Sequence, residues 1–223
     1  MRFIKSYALR QQLHVPDQKM VTIPIGINNH LIQSSAPKSS EIDLIFFGRL
    51  LTHKNVDRLL HVVARVSRVR PDVRCLIIGN GPERRKLEEL SSRLGLANNV
   101  GFKDFLPTQE EVYSYLRRSK IFVSLSTREG FGLAPLEAMA AGLPVVIVDH
   151  PDNAVTEFVT DRIEGFVCPL DEAVVAERIV GLLTRPGDLE AMSRAAMAKA
   201  KTYDIETTAV AVLHCFQALV PVS

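Results

Sequence analysis

Three stretches of this chain hold residue types that could do chemistry together. The first is Gly48-Arg49-Leu50-Leu51-Thr52-His53-Lys54-Asn55. Its glycine lets the backbone approach another group closely, and Arg49 and Lys54 set two cations on one loop. Two cations so placed suit a diphosphate, whose charge needs neutralising as a bond to it breaks. Read alone, they suit two solvated loop charges equally well. The second stretch is Gly79-Asn80-Gly81-Pro82-Glu83, a tight turn with Pro82 at a helix start. A planar base or a phosphate could lie against it, but it is also an ordinary strand-to-helix turn and falls short of a full G-x-G-x-x-G. The third and sharpest runs from Glu129 through Gly130-Phe131-Gly132-Leu133-Ala134-Pro135-Leu136 to Glu137, and on to Gly142. Glycines flanking Phe131 can turn backbone N–H groups toward a ligand. Pro135 is expected to open a short helix that Gly142 ends, so that the helix's positive end faces the loop and forms an anion site. Glu129 precedes that site, and Glu137 is expected within the first helical turn. Each acid has a plain reading, Glu129 as a surface loop acid and Glu137 as a stabiliser of the helix N-terminus. Flanking an anion site together, they also make sense as acceptors of hydrogen bonds from hydroxyls on either side of it.

The elements that must hold these stretches are legible in the hydrophobic pattern. From Ile42 onward, the apolar runs Ile42–Phe47, Val73–Ile78, Ile121–Leu125, Val145–Val148 and Gly165–Cys168 alternate with helical patterns. Val56, Leu59, Leu60, Val62, Val63 and Val66 share one helical face. Leu87, Leu90 and Leu94 recur at helical spacing, as do Val112, Tyr115 and Leu116. Helices are expected over Glu172–Leu183, Leu189–Lys201 and Ile205–Leu219, with Pro186-Gly187 between the first two. Strands apolar throughout, alternating with helices, predict an α/β fold: a doubly wound parallel sheet, Rossmann-like, with its ligand beyond the carboxyl ends of the strands. All three chemical stretches fall at that edge. Residues 1–40 read otherwise, as a short amphipathic helix over Ser6–Leu13, a β-like run Val21–Ile23 stopped by Pro24 and Gly26, and a Ser-rich linker over Gln33–Ser40, none of it core.

Bulk properties exclude several function classes. Of 223 residues, 47% are apolar and 23% charged, and 27 basic against 25 acidic side chains leave a net charge of +2. That balance gives no field for nucleic acid, so no nucleic-acid partner is expected and any phosphate is bound locally. Cys75, Cys168 and Cys215 form no CxxC pair, which argues against a disulfide framework or zinc site and for a cytoplasmic location. No signal peptide or span of transmembrane length is visible.

Glu129 and Glu137 with the seven residues between them resemble the E-x7-E motif of the retaining glycosyltransferases with the GT-B fold (glycosyl transferases group 1). Gly48-Arg49-x4-Lys54 is similar to that family's diphosphate loop and Gly79-x-Gly81-Pro82 to its nucleotide turn. Asn98-Asn99-Val100 before Phe102 looks like its strand beside the base, Glu137-Ala-Met-Ala-Ala-Gly-Leu-Pro-Val-Val like its helix-turn-strand, and Val21–Ile27 like its interdomain connector. The resemblance implies the C-terminal half of a GT-B fold. It divides the chain into an N-terminal helix, connector and linker (1–40), a nucleotide-sugar-binding Rossmann-like domain (41–201) and a C-terminal helix (202–223). It implies transfer of a sugar from a UDP- or GDP-type donor with retention, without a cofactor or metal. Arg49 and Lys54 would hold the diphosphate and stabilise the leaving group, with Glu129 on the transferred sugar. Gly130, Phe131 and Gly132 would offer N–H groups beside Leu133, Glu137 would bind the ribose, and Gly48, Gly79, Gly81 and Phe102 would line the nucleotide site.

This sequence departs from the family at Asp104 and near Asp152-Asn153, where the family has glycines. A full member also carries a second α/β domain, before the connector, that binds a glycan or lipid acceptor. The chain therefore reads as incomplete: a fragment, a truncated product or one subunit of a split enzyme, inactive alone. Peripheral membrane contact belongs to the full enzyme. The C-terminal helix, with Ala209, Val212, Leu213 and Phe216 on its apolar face, either packs toward the missing domain, and could then drive self-association, or covers its own core. The alternative function is a non-catalytic nucleotide-sugar-binding module. A nicotinamide-dependent enzyme fits poorly, because the first strand leads into Gly-Arg-Leu-Leu. His53, His150 and Asp152 read as loop residues rather than as catalytic groups.

Overall fold

A computed structural model describes residues 21–36 and 42–219. The helix expected over Ser6–Leu13 and the end of the linker lie outside the described residues. In chain order the elements are α1 (Asn29–Ser34), β1 (Ile42–Phe47), a 3-10 turn (Thr52–Lys54), α2 (Val56–Val69), β2 (Cys75–Ile78), α3 (Arg84–Arg93), β3 (Val100–Lys103), α4 (Gln109–Leu116), β4 (Ser119–Ser124), α5 (Leu133–Ala140), β5 (Val145–Val148), a 3-10 turn (Ala154–Glu157), β6 (Gly165–Cys168), α6 (Glu172–Thr184), α7 (Pro186–Lys201) and α8 (Ile205–Leu219).

The six strands are all parallel in the order β3-β2-β1-β4-β5-β6. Alternation along each strand sends side chains to two cores. Leu44, Phe46, Val146 and Val148 meet the buried faces of α2 and α6, where Val56, Leu59, Leu60, Val63 and Ile179 are buried. Ile45, Val145 and Ile147 meet Leu116 of α4, Leu136 and Met139 of α5, and Ala196 and Ala200 of α7. A sheet covered on both faces explains why β2 and β5 are apolar throughout and β1 nearly so, its one polar residue, buried Asp43, being paired with Lys120 of β4. The expected doubly wound fold is the one observed, and its order reverses between β1 and β4, so that the loops after these two strands open a crevice at the carboxyl edge.

Local departures from the sequence reading have physical reasons. Val21–Ile23 forms no strand; among the described residues ahead of β1 the β pairing is a single bridge, from Ile27 to Asp204. Residues 1–40 were expected outside the core, yet Ile27 and Ile32 are buried in it. The linker expected from Gln33 begins later, because Gln33 and Ser34 complete α1, whose N-cap Asn28 side chain accepts from the Leu31 N–H. β3 carries no apolar run, being an edge strand of four residues with Val100 its only buried member. Arg84, not Pro82, opens α3. Pro186 opens α7 directly, so the gap expected before Leu189 closes to a single residue.

Candidate donor-binding site

The loop after β1 is shaped by Asn55, which adopts a left-handed conformation at φ 50° between the 3-10 turn and α2. Its side-chain amide donates to the Leu125 carbonyl at the end of β4 (2.8 Å), and the Thr127 N–H donates to the His53 carbonyl (3.0 Å). These bonds fasten the β1 loop to the β4 loop. The clasp brings Lys54 to Glu129 across 75 residues of chain, with Nζ to Oε1 at 2.6 Å. Both side chains are largely enclosed, at 17% and 14% exposure. The β4 loop is held from its other side as well. The Glu129 N–H donates to the Asp152 carbonyl and the Ala154 N–H to the Glu129 carbonyl, while buried Asn153 donates to the Val148 carbonyl. Asn153 thus anchors, to the end of β5, the backbone segment that holds Glu129.

Arg49, Leu51, His53, Lys54, Arg128, Glu129 and Gly130 line one cleft of about 310 Å³ at this junction. The Arg49, Lys54 and Glu129 expected there are brought together. Arg128 and His53 line it too. Arg128 was missed, and the available signal was its place beside Glu129 on a loop already singled out. Burial is the main cause holding the His53 imidazole below its ordinary range. The nearby Lys54 cation adds to this, Glu129 opposes it, and Arg128 and Arg49 contribute in the same sense as Lys54. Burial and the surrounding cations therefore both disfavour the charged imidazole at His53.

Other expected site residues lie elsewhere. α5 opens at Leu133 rather than Pro135, because Gly132 takes φ 89° and caps it. Only glycine fits there: a Cβ would lie 2.3 Å from Val155 Cγ2. Glu137 consequently falls in the second helical turn, with its Oε1 accepting from the Tyr113 hydroxyl at 2.8 Å. Burial raises the pKa of Glu137 and the Tyr113 bond pulls the other way. Burial, reinforced by Glu137, also pushes the Tyr113 phenol up. Glu137 and Leu133 are not among the residues lining the cleft, nor is Phe131, whose ring packs against Phe158 and Tyr203. Gly79 and Gly81 serve chain packing, since a Cβ at Gly79 would lie 1.9 Å from the Gly48 carbonyl oxygen and one at Gly81 2.4 Å from that of Leu50. Phe102 is half-buried beneath the Arg84 guanidinium, 5.1 Å from its ring centre. Asp104 accepts from the Asn80 amide at 3.2 Å, joining the β3 edge to the Gly79–Gly81 turn.

Among the described residues no group of three His, Cys, Asp or Glu side chains is placed to hold a metal ion, and no helix is long and apolar enough to cross a membrane. Cys75, Cys168 and Cys215 are free thiols. α8 buries none of its side chains among residues 205–217, leaving Leu213 and Phe216 exposed, the latter at 62%.

Comparison with known proteins places the fold and the family. The family model for glycosyl transferases group 1 matches residues 28–199. A D-inositol 3-phosphate glycosyltransferase of Segniliparus rotundus is 30% identical over 227 residues, covering 94% of this chain and 49% of that protein. The UDP-N-acetylglucosamine–peptide N-acetylglucosaminyltransferase GtfA subunit of Streptococcus agalactiae is 30% identical over 148 residues, 66% of this chain and 28% of that protein. The chain thus spans half or less of the length of these relatives. Among solved structures, a TarM mutant of S. aureus in complex with UDP superposes with a TM-score of 0.83 at 24% identity, over 97% of this chain and 43% of that one. HepE of Anabaena with UDP and glucose gives 0.82 at 21%, over 96% and 61%. These neighbours share the Rossmann-like architecture of GT-B glycosyltransferases.

Proposed function

Since the chain belongs to the glycosyl transferases group 1, we propose that its cleft between the β1 and β4 loops binds the diphosphate and sugar of a nucleoside-diphosphate sugar for retaining transfer. The observation that carries this reading is the convergence of Arg49, Lys54 and Glu129 on one cleft at the sheet's switch point. Without donor, Lys54 and Glu129 satisfy each other. When donor enters, phosphate oxygens take up Lys54 and Arg49, and Glu129 accepts from sugar hydroxyls. Cations already placed where negative charge grows on the leaving diphosphate stabilise departure without reorganisation, so the reaction needs no metal in this scheme. Uracil is the favoured base, because the similar TarM and HepE structures carry UDP; a GDP-type donor is the alternative. Glu137 contributes by accepting from the ribose, with Tyr113 fixing its orientation. Free cysteines suit a reducing, cytoplasmic setting.

The acceptor, a glycan or lipid, and catalysis itself depend in this reading on a further domain, whether covalently joined or supplied as a partner subunit. The exposed apolar face of α8 supports such a contact, as it leaves Leu213 and Phe216 without a cover among the described residues. The same face favours a second reading, a donor-binding module that completes another protein.

A thermal-shift screen of UDP, GDP, ADP and their sugar conjugates tests the donor, because a ligand that binds the folded state raises the melting temperature. UDP and UDP-sugars should stabilise the protein, and Arg49→Ala should weaken them by about tenfold, the loss expected for one charge-assisted bond. Equal shifts from every nucleotide, or no loss in Arg49→Ala, would refute the reading.

A further inference from the structure

We infer that Arg128 is a third cationic partner of the diphosphate, making up the charge that Glu129 withdraws from Lys54. The inference rests on the donor-site reading above and concerns the same cleft. Each phosphate of a sugar diphosphate keeps a negative charge, so two net positive charges are needed to match it. Arg49 and Lys54 supply two, but Glu129 lies 2.6 Å from Lys54 and cancels one of them. The three residues singled out by motif therefore leave the cleft one charge short. Arg128, on the opposite wall, restores it.

Its position is held rather than accidental. The Ser126 hydroxyl, fully buried, accepts from the Arg128 N–H (3.4 Å) and shares its single proton between the carbonyls of Arg128 (3.1 Å) and His53 (3.3 Å). One buried hydroxyl thus ties the backbone of Arg128 to the loop that carries Lys54. The Arg128 guanidinium makes no ion pair or hydrogen bond with another described side chain and faces open solvent, in contrast to Lys54. A free, planar guanidinium offers a phosphate paired, parallel N–H donors that an ammonium cannot.

Isothermal titration of uridine, UDP and inorganic pyrophosphate into wild-type, Arg49→Ala, Arg128→Ala and Arg128→Lys protein tests this. Arg128→Ala should weaken UDP and pyrophosphate by about tenfold and leave uridine unchanged, with Arg128→Lys recovering part of the loss. Unchanged UDP and pyrophosphate affinity in Arg128→Ala, or an equal loss for uridine, overturns the inference. If those affinities instead fall only in Arg49→Ala, the donor-site reading stands and the role of Arg128 does not. If wild-type protein binds pyrophosphate but neither UDP nor uridine, the nucleotide reading fails, while a loss of pyrophosphate binding in Arg128→Ala still supports the phosphate role of this arginine. Wild-type protein that binds none of the three refutes both.

Discussion

The cleft and the last helix are built on opposite terms. Around the cleft almost every backbone turn is fastened by a specific polar side chain: Asn55 to Leu125, Ser126 to His53 and Arg128, Asn153 to Val148. α8 is joined to the domain mainly at its start. Ile27 and the Ile205 N–H pair there, the Thr208 hydroxyl donates to the Pro24 carbonyl, and Gly26 lies where a Cβ would be 2.5 Å from the Ile205 Cα. Beyond that point its larger apolar side chains face outward. A loop region dense in directed bonds can hold charged groups in a fixed relation before any ligand arrives. A helix with an uncovered apolar face is complete only against something else.

Breaking the fastened region should have the largest effect. Gly132→Ala forces a side chain into a left-handed conformation and against Val155, and should cost about 3 kcal/mol, lowering the melting temperature by about 6–12 °C. A change below about 1 kcal/mol would mean that the loop before α5 is not rigid. Glu129→Ala sharpens the picture further. It frees Lys54 from its carboxylate, so UDP should bind at least as tightly as in wild type, while the additional affinity conferred by an attached sugar disappears. Calorimetry with UDP and a UDP-sugar separates these, and an equal loss for both would assign Glu129 a structural task. Glu129→Gln also removes the one carboxylate that raises the His53 pKa, so the imidazole midpoint, followed by NMR, should move to lower pH. At the other extreme, Phe216→Ser on α8 should change monomer stability by no more than about 0.5 kcal/mol, since the ring is already exposed. Its effect should appear instead as reduced association in sedimentation velocity.

Much of this architecture was legible in the sequence because it rests on repeated patterns. Six inward-facing positions of α2 recur at helical spacing, and β5 throughout and β1 at every position but Asp43 are apolar because helices cover both faces. Arg49, Lys54 and Glu129 could be singled out as charged residues after apolar runs. Their meeting could not be, because it depends on Asn55 and Ser126, lone polar residues whose partners are 70 and 73 positions away. The start of α5 was misplaced for a related reason. Proline at position 135 is a strong local signal, but contact with Val155 requires Gly132 to turn, and that fixes the boundary earlier. The glycines at 79 and 81 show the converse, a motif whose shape is explained by one backbone pressing on another.

The most direct test of a diphosphate lodged between the β1 and β4 loops is UDP titration of ¹⁵N-labelled protein, followed by amide chemical shifts. The largest changes should fall on residues 48–55 and 126–132 and need about tenfold more UDP to reach the same extent in Arg49→Ala. Shifts gathered at the opposite edge of the sheet, around Asn98–Gly101, with residues 48–55 and 126–132 silent, would contradict the account.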